Sequence, residues 1–136
     1  MKILKFGGTS VGSAARIKSV AELVNNPEPK IVVLSAMSGT TNALVEINNL
    51  LYSNKKDEAK TAIHQLHEKY KTVIGELYST QQAAAKATAC IDEIFTFMRS
   101  FSLGSFSDHA ERGILAQGEI LSTNLFQFYL QYSCLP

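Results

Sequence analysis

The sequence has no tryptophan, only two cysteines and three prolines, and almost no surplus of charge. Cys90 and Cys134 stand far apart and form no C-x-x-C motif, so a dithiol redox site is excluded. Cys90 falls on the apolar side of a helical pattern and is expected to be a buried thiol. A net charge of +1 gives no electrostatic reason to expect nucleic acid or a strongly acidic partner. No apolar run approaches the roughly 20 residues needed to span a bilayer. Lys2 and Lys5 interrupt the one stretch that could serve as a signal-peptide core. The expectation is a soluble cytoplasmic protein with no membrane partner. Its 136 residues are 46% hydrophobic and 18% charged, an ordinary globular composition.

What is present begins at once. Lys2-Ile3-Leu4-Lys5-Phe6 is extended and mostly apolar, and it stops at Gly7-Gly8-Thr9-Ser10-Val11-Gly12. A strand, a tight turn with bare backbone N–H groups and a helix N-terminus together favour a bound anion. Lys5 is the telling residue, because a lysine buried in such a strand is costly unless an anion meets it. The bland alternative is a glycine turn with a snorkelling lysine. The glycines do not follow G-x-G-x-x-G, and Ser13-Ala14 stands where a phosphate loop of the Walker type needs Lys-Ser/Thr.

Ile17, Val20, Ala21 and Val24 then recur at helical spacing, predicting a helix over 13–26 that Asn25-Asn26-Pro27 ends. Ile31-Val32-Val33-Leu34 reads as a strand buried on both faces. Strand, helix and strand make a right-handed βαβ unit with parallel strands. The second strand runs into Ser35-Ala36-Met37-Ser38-Gly39-Thr40-Thr41-Asn42, a polar loop at the same carboxyl edge as the glycine turn. Ligands of open α/β sheets bind at that edge. Thr40 or Thr41 could also simply cap the next helix.

The middle of the chain is helical. Stripes through Ile63, Leu66, Tyr70, Val73, Ile74 and Leu77, and through Ala87, Cys90, Ile91, Ile94, Phe95 and Met98, predict an antiparallel hairpin. His64 and His67 have no third ligand nearby and are expected to face solvent rather than a metal. Phe95, Phe97, Phe101 and Phe106 suit a core or an interface. Asp108-His109-Ala110-Glu111 has capping-box form and is expected to open one long helix. In it Gly118 suggests that something packs close to the backbone. Glu119 is then a candidate inward carboxylate for a substrate ammonium, against the plainer reading of an exposed helical glutamate.

Three blocks in order, Lys5-Phe6-Gly7-Gly8-Thr9-Ser10-Val11, Val33-Leu34-Ser35-Ala36 through Thr41-Asn42, and Gln117-Gly118-Glu119-Ile120-Leu121-Ser122-Thr123, resemble the N-terminal motifs of aspartokinases, which have the amino-acid kinase fold. The resemblance covers nearly the whole chain. It implies an α/β fold with a parallel sheet, of which 1–136 is the N-terminal part with a helical hairpin insertion. It implies phosphorylation of the β-carboxylate of L-aspartate by ATP with Mg²⁺, the first step toward lysine, threonine and methionine. Lys5 matches the lysine that stabilises the transferring phosphoryl group. Gly7 and Gly8, with Thr9 and Ser10, match the phosphate-cradling turn. Ser35 and Thr41 match hydroxyls of the aspartate region, and Glu119 matches the acid that holds the substrate ammonium; no residue is assigned to a metal.

By the same resemblance, the nucleotide-binding half and the regulatory domains are expected C-terminal to Pro136, leaving this segment inactive alone. Two buried-looking strands also leave an open sheet edge, which predicts a longer chain or a homo-oligomer. Two alternatives stand beside the aspartokinase expectation. One is another amino-acid kinase with a different carboxylate or phosphate acceptor; the other is a non-catalytic self-association module.

Overall fold

Among the described residues, two parallel strands and six α-helices carry the fold, and the sheet is open on one side. The computed structural model describes residues 1–134. Leu135 and Pro136, where the expected continuation would join, lie outside the described residues. Strands β1 (Lys2–Phe6) and β2 (Lys30–Leu34) pair in register from Lys2 opposite Lys30 to Phe6 opposite Leu34. Helix α1 (Ala14–Val24) makes the crossover. It starts where Ser13 accepts a hydrogen bond from the Arg16 amide at 3.3 Å, and it buries Ile17, Val20, Ala21 and Val24 as the spacing predicts.

The strands are not buried on both faces. Leu4, Phe6 and Val32 pack on the core and Leu34 is buried in it. The alternate side chains Ile3, Ile31 and Val33 remain 70%, 49% and 42% exposed. The helices lie on one side only, so the pleat sends every second residue to an uncovered face. Apolar content suggested two-sided burial, but it cannot reveal how many layers are present.

Helix α2 (Thr40–Tyr52) follows the second loop, and α3 (Lys56–Leu77) and α4 (Gln81–Ser100) form the expected hairpin. Its interior holds Ile63, Tyr70, Ala87, Ile91, Phe95 and Met98, each at most 1% exposed. Thr80 caps α4 by accepting from the Ala83 amide at 3.2 Å. Of the four clustered phenylalanines, Phe95 is in the core and Phe97 is 46% exposed, edge-on to Phe101. Phe106 stands edge-on to Tyr52. Cys90 is only partly covered, and burial, then the nearby Glu93, push its thiol pKa up.

The expected single helix from Asp108 is two. Helix α5 (Asp108–Leu115) and helix α6 (Gln117–Tyr129) meet at Ala116, and a π-turn follows over Leu130–Cys134. The cap is Ser107, which accepts from the Ala110 amide at 3.2 Å, not Asp108. Asp108 and Glu111 instead accept from the Tyr52 hydroxyl, at 2.6 and 2.7 Å, tying α5 to α2. Helix α6 packs on β2, α1 and α4 and so reaches the sheet's carboxyl edge.

His67 also departs from expectation. His64 is exposed, but His67 is 6% exposed and its ring stacks on Phe95 at 4.4 Å. Its Nε2 lies 2.8 Å from Asp92 Oδ1, and its Nδ1 lies 3.0 Å from Arg99 Nη2. Arg99 can only donate, so Nδ1 accepts and Nε2–H donates to Asp92. One hydrogen-bond pattern thus fixes the neutral tautomer between α3 and α4.

Candidate active site at the carboxyl edge

The glycine turn folds on itself before it faces anything else. Ser10 and Val11 amides donate to the Gly7 carbonyl at 3.0 and 3.3 Å, and the Gly12 amide donates to Thr9 at 3.3 Å. That leaves the Gly8 and Thr9 amides without an acceptor among the described residues. The bare anion nest is therefore narrower than the sequence implied.

The second loop lies against this turn. A Cβ on Gly8 would stand 3.2 Å from the Ala36 carbonyl oxygen, and one on Gly12 would collide with Ser38 Oγ. Ser38 Oγ donates to the Gly8 carbonyl at 3.4 Å. At Gly8 the two backbones pass at contact distance, and at Gly12 the space is taken by the Ser38 side chain. Gly39, at φ +80°, turns the chain into α2 and offers no capping side chain. Thr40 and Thr41 therefore do not cap α2. Thr40 is its first residue and directs its hydroxyl to Tyr70 Oη at 2.7 Å, while Thr41 is exposed at the loop's mouth.

Helix α6 closes the third side. Gly118 lets it approach until a Cβ there would stand 2.8 Å from Ala36 Cβ and 3.4 Å from Leu44 Cδ1, the close packing that a helical glycine suggested. Ser122 Oγ donates to the Ser35 carbonyl at 2.7 Å. Glu119, one residue past Gly118, then faces the two loops.

These pieces enclose an open cavity of about 410 Å³ walled by Gly8 and Thr9, Ser35 to Gly39, Thr41, Asn42 and Glu119. Its size suits a small metabolite. Among the described residues, Glu119 is the one ionisable side chain in the wall, and it is exposed. Burial, joined by the charge of Glu119, pushes Tyr70 up to about 12, so its phenol stays protonated behind the wall.

Of the residues that the sequence singled out, Gly8, Thr9, Ser35, Thr41 and Glu119 converge on this cavity, whereas Lys5, Gly7 and Ser10 lie outside its wall. Lys5 stands opposite Val33 on the open face of the sheet and is exposed. No residue among those described pairs with it. Lys5 is therefore not desolvated as the sequence suggested, and in water its charge needs no partner. Sequence reasoning missed Thr40, Tyr70 and Ser122, which hold the loops from behind. Ser122 stands one helical turn after Glu119, the spacing that could have marked it.

Comparison with known proteins places this geometry. The model of the amino acid kinase family matches residues 1–136, the whole chain. The chain belongs to the amino acid kinase family. This family member is 32% identical over 134 residues to an aspartokinase of Chlamydia trachomatis, covering 98% of this chain and 28% of that protein. It is 31% identical over 141 residues to a chloroplastic bifunctional aspartokinase/homoserine dehydrogenase of Daucus carota, covering 95% of this chain and 14% of that protein. Its fold superimposes on E. coli aspartokinase III solved with aspartate and ADP, with a TM-score of 0.69 and 26% identity, over 96% of this chain and 29% of that one. The chain thus spans less than a third of the length of each of these relatives, and it carries part of the amino acid kinase fold.

Proposed function

We propose that this segment is the aspartate and phosphoryl-transfer side of an aspartokinase, which phosphorylates the β-carboxylate of L-aspartate with ATP. The observation that carries the reading is the convergence of Glu119 with the Gly8–Thr9 and Ser35–Asn42 loops around one small polar cavity. An acid beside hydroxyls and free amides matches a zwitterion that also carries a carboxylate. Relatives named aspartokinase over 98% of the chain, and a structural neighbour that binds aspartate and ADP, support the same choice. The adenine side falls to the part of the relatives' length that this segment does not span.

In this mechanism Glu119 accepts hydrogen bonds from the substrate ammonium and sets the amino acid's direction. Ser35 and Thr41 donate to its carboxylate, and a β-carboxylate oxygen attacks the γ-phosphorus as the bond to ADP breaks. The chemistry needs positioning and positive charge on the equatorial oxygens, not a covalent enzyme intermediate. The Gly8 and Thr9 amides, in the turn made by Gly7 to Ser10, supply part of that stabilisation. Lys5, one residue from the strand's end, supplies a cation with a flexible reach. Mg²⁺ would accompany the triphosphate, since it binds few carboxylates and keeps phosphate oxygens as ligands. We further propose that the enzyme containing this segment is cytoplasmic and a homo-oligomer.

The test is acyl-phosphate formation by the enzyme that contains this segment, trapped as the hydroxamate with L-aspartate and Mg-ATP. Product with aspartate, and far less with glutamate or acetate, is expected. Turnover of another acceptor in preference to aspartate would overturn the assignment.

A further inference from the structure

Tyr70 carries more chemistry than its place in the core requires. Its ring is 1% exposed and lies 6.0 Å from that of Phe95, where phenylalanine would fill the same volume. A hydroxyl taken into such a place costs stability unless it is bonded. Here it is bonded, at 2.7 Å, to Thr40 Oγ1, and Thr40 is itself fully buried. Both groups are satisfied by each other across 30 residues of chain, from the middle of α3 to the first residue of α2.

The first turn of α2 needs that support. Gly39 gives it no side-chain cap, and beyond the Ser38–Gly8 bond the loop before it is held from the helices. Ser122 holds the Ser35 carbonyl at 2.7 Å, and Lys69 Nζ donates to the Ser38 carbonyl at 3.2 Å. Lys69 is exposed, so its bond is exchangeable with water. Among the described residues the Tyr70–Thr40 bond is the buried one at this end of the loop, and Thr41 and Asn42, the next two residues, line the same cavity as Glu119.

We propose that Tyr70 is a positioning residue for the acceptor site: its hydroxyl holds Thr40, and through it sets Thr41 and Asn42 against Glu119. The bond sits behind the wall and touches no substrate. It therefore governs how well the amino-acid acceptor is held, with little influence on nucleotide. This inference rests on the proposed aspartate site, but its local consequence can be measured without turnover.

Tyr70→Phe and Thr40→Val are compared in the enzyme that contains this segment, by hydrogen–deuterium exchange over residues 35–44 and by steady-state kinetics. Losing one buried hydrogen bond is expected to raise KM for aspartate about 3- to 10-fold, with kcat and KM for ATP within about 2-fold of wild type. Exchange at the first turn of α2 should quicken in both variants, and Tyr70→Phe should add nothing to Thr40→Val. Thr40→Ser, which keeps the hydroxyl, should restore the wild-type KM. Unchanged exchange in Tyr70→Phe overturns the proposal, as does an equal rise in both KM values or additive effects in the double variant. A wild-type enzyme that ignores aspartate overturns the acceptor assignment instead, while the exchange result still judges the Tyr70–Thr40 link.

Discussion

Gly118 and Ala36 touch so closely that no side chain fits between them: a Cβ on the glycine would stand 2.8 Å from the alanine's own Cβ. This contact places Glu119 beside the second loop, because it sets the distance of α6 from the end of β2.

Gly118→Ala should therefore destabilise the fold although alanine is the better helix former by about 1 kcal/mol. Overpacking at a backbone-bearing contact costs about 1–3 kcal/mol, so a net loss is expected. Thermal unfolding should show a lowered midpoint, and affinity for aspartate should fall with it as α6 moves outward.

Gly12→Ala tests the contact between the two loops. The new methyl would collide with Ser38 Oγ and stand 3.1 Å from the Gly8 carbonyl, displacing the Ser38–Gly8 bond. A loss of about 1 kcal/mol is expected. Adding Ser38→Ala should recover part of it, since the colliding oxygen is gone. Denaturant unfolding of both single variants and the double variant measures that coupling.

The charge roles separate in kinetics. Glu119→Gln should raise KM for aspartate about 10- to 100-fold, the loss of a charge-assisted hydrogen bond, with KM for ATP little changed. Lys5→Ala should instead lower kcat about 100- to 1,000-fold with the fold intact, as expected for a group that stabilises only the transferring phosphoryl. Near-normal turnover by Lys5→Ala would remove that role from Lys5.

His67 makes stability depend on pH. Burial, opposed by the bond to Asp92 and assisted by the Arg99 charge, holds its pKa below the ordinary imidazole value of 6.5. The unfolded chain therefore takes up a proton before the folded one does, and stability falls as pH drops through and below about 6.5. The decline ends once the folded-state pKa is passed. Unfolding midpoints of wild type and His67→Gln, followed from pH 7.5 down to about 5, should converge on the acid side as this contribution disappears.

Local spacing determined much of this protein. The apolar stripes of α1, α3 and α4 follow from a 3.6-residue periodicity, and the glycine stop after Phe6 and the continuous apolar run at Ile31 mark the two strands. These act within a few residues, so the sequence displays them directly. That Gly8, Ser35 and Thr41 would meet was legible because parallel strands bring both loops to one edge, whereas Glu119, on a distant helix, was matched to them only through the family resemblance. What only the tertiary structure decided is how surfaces far apart in the chain meet. It set Lys5 on an uncovered sheet face rather than in a buried one, and it turned His67 inward between Asp92 and Arg99. It divided the last helix at Ala116 and matched Tyr70 to Thr40. A residue's periodicity names the side of its element, but burial and partners depend on which layer packs there and at what register.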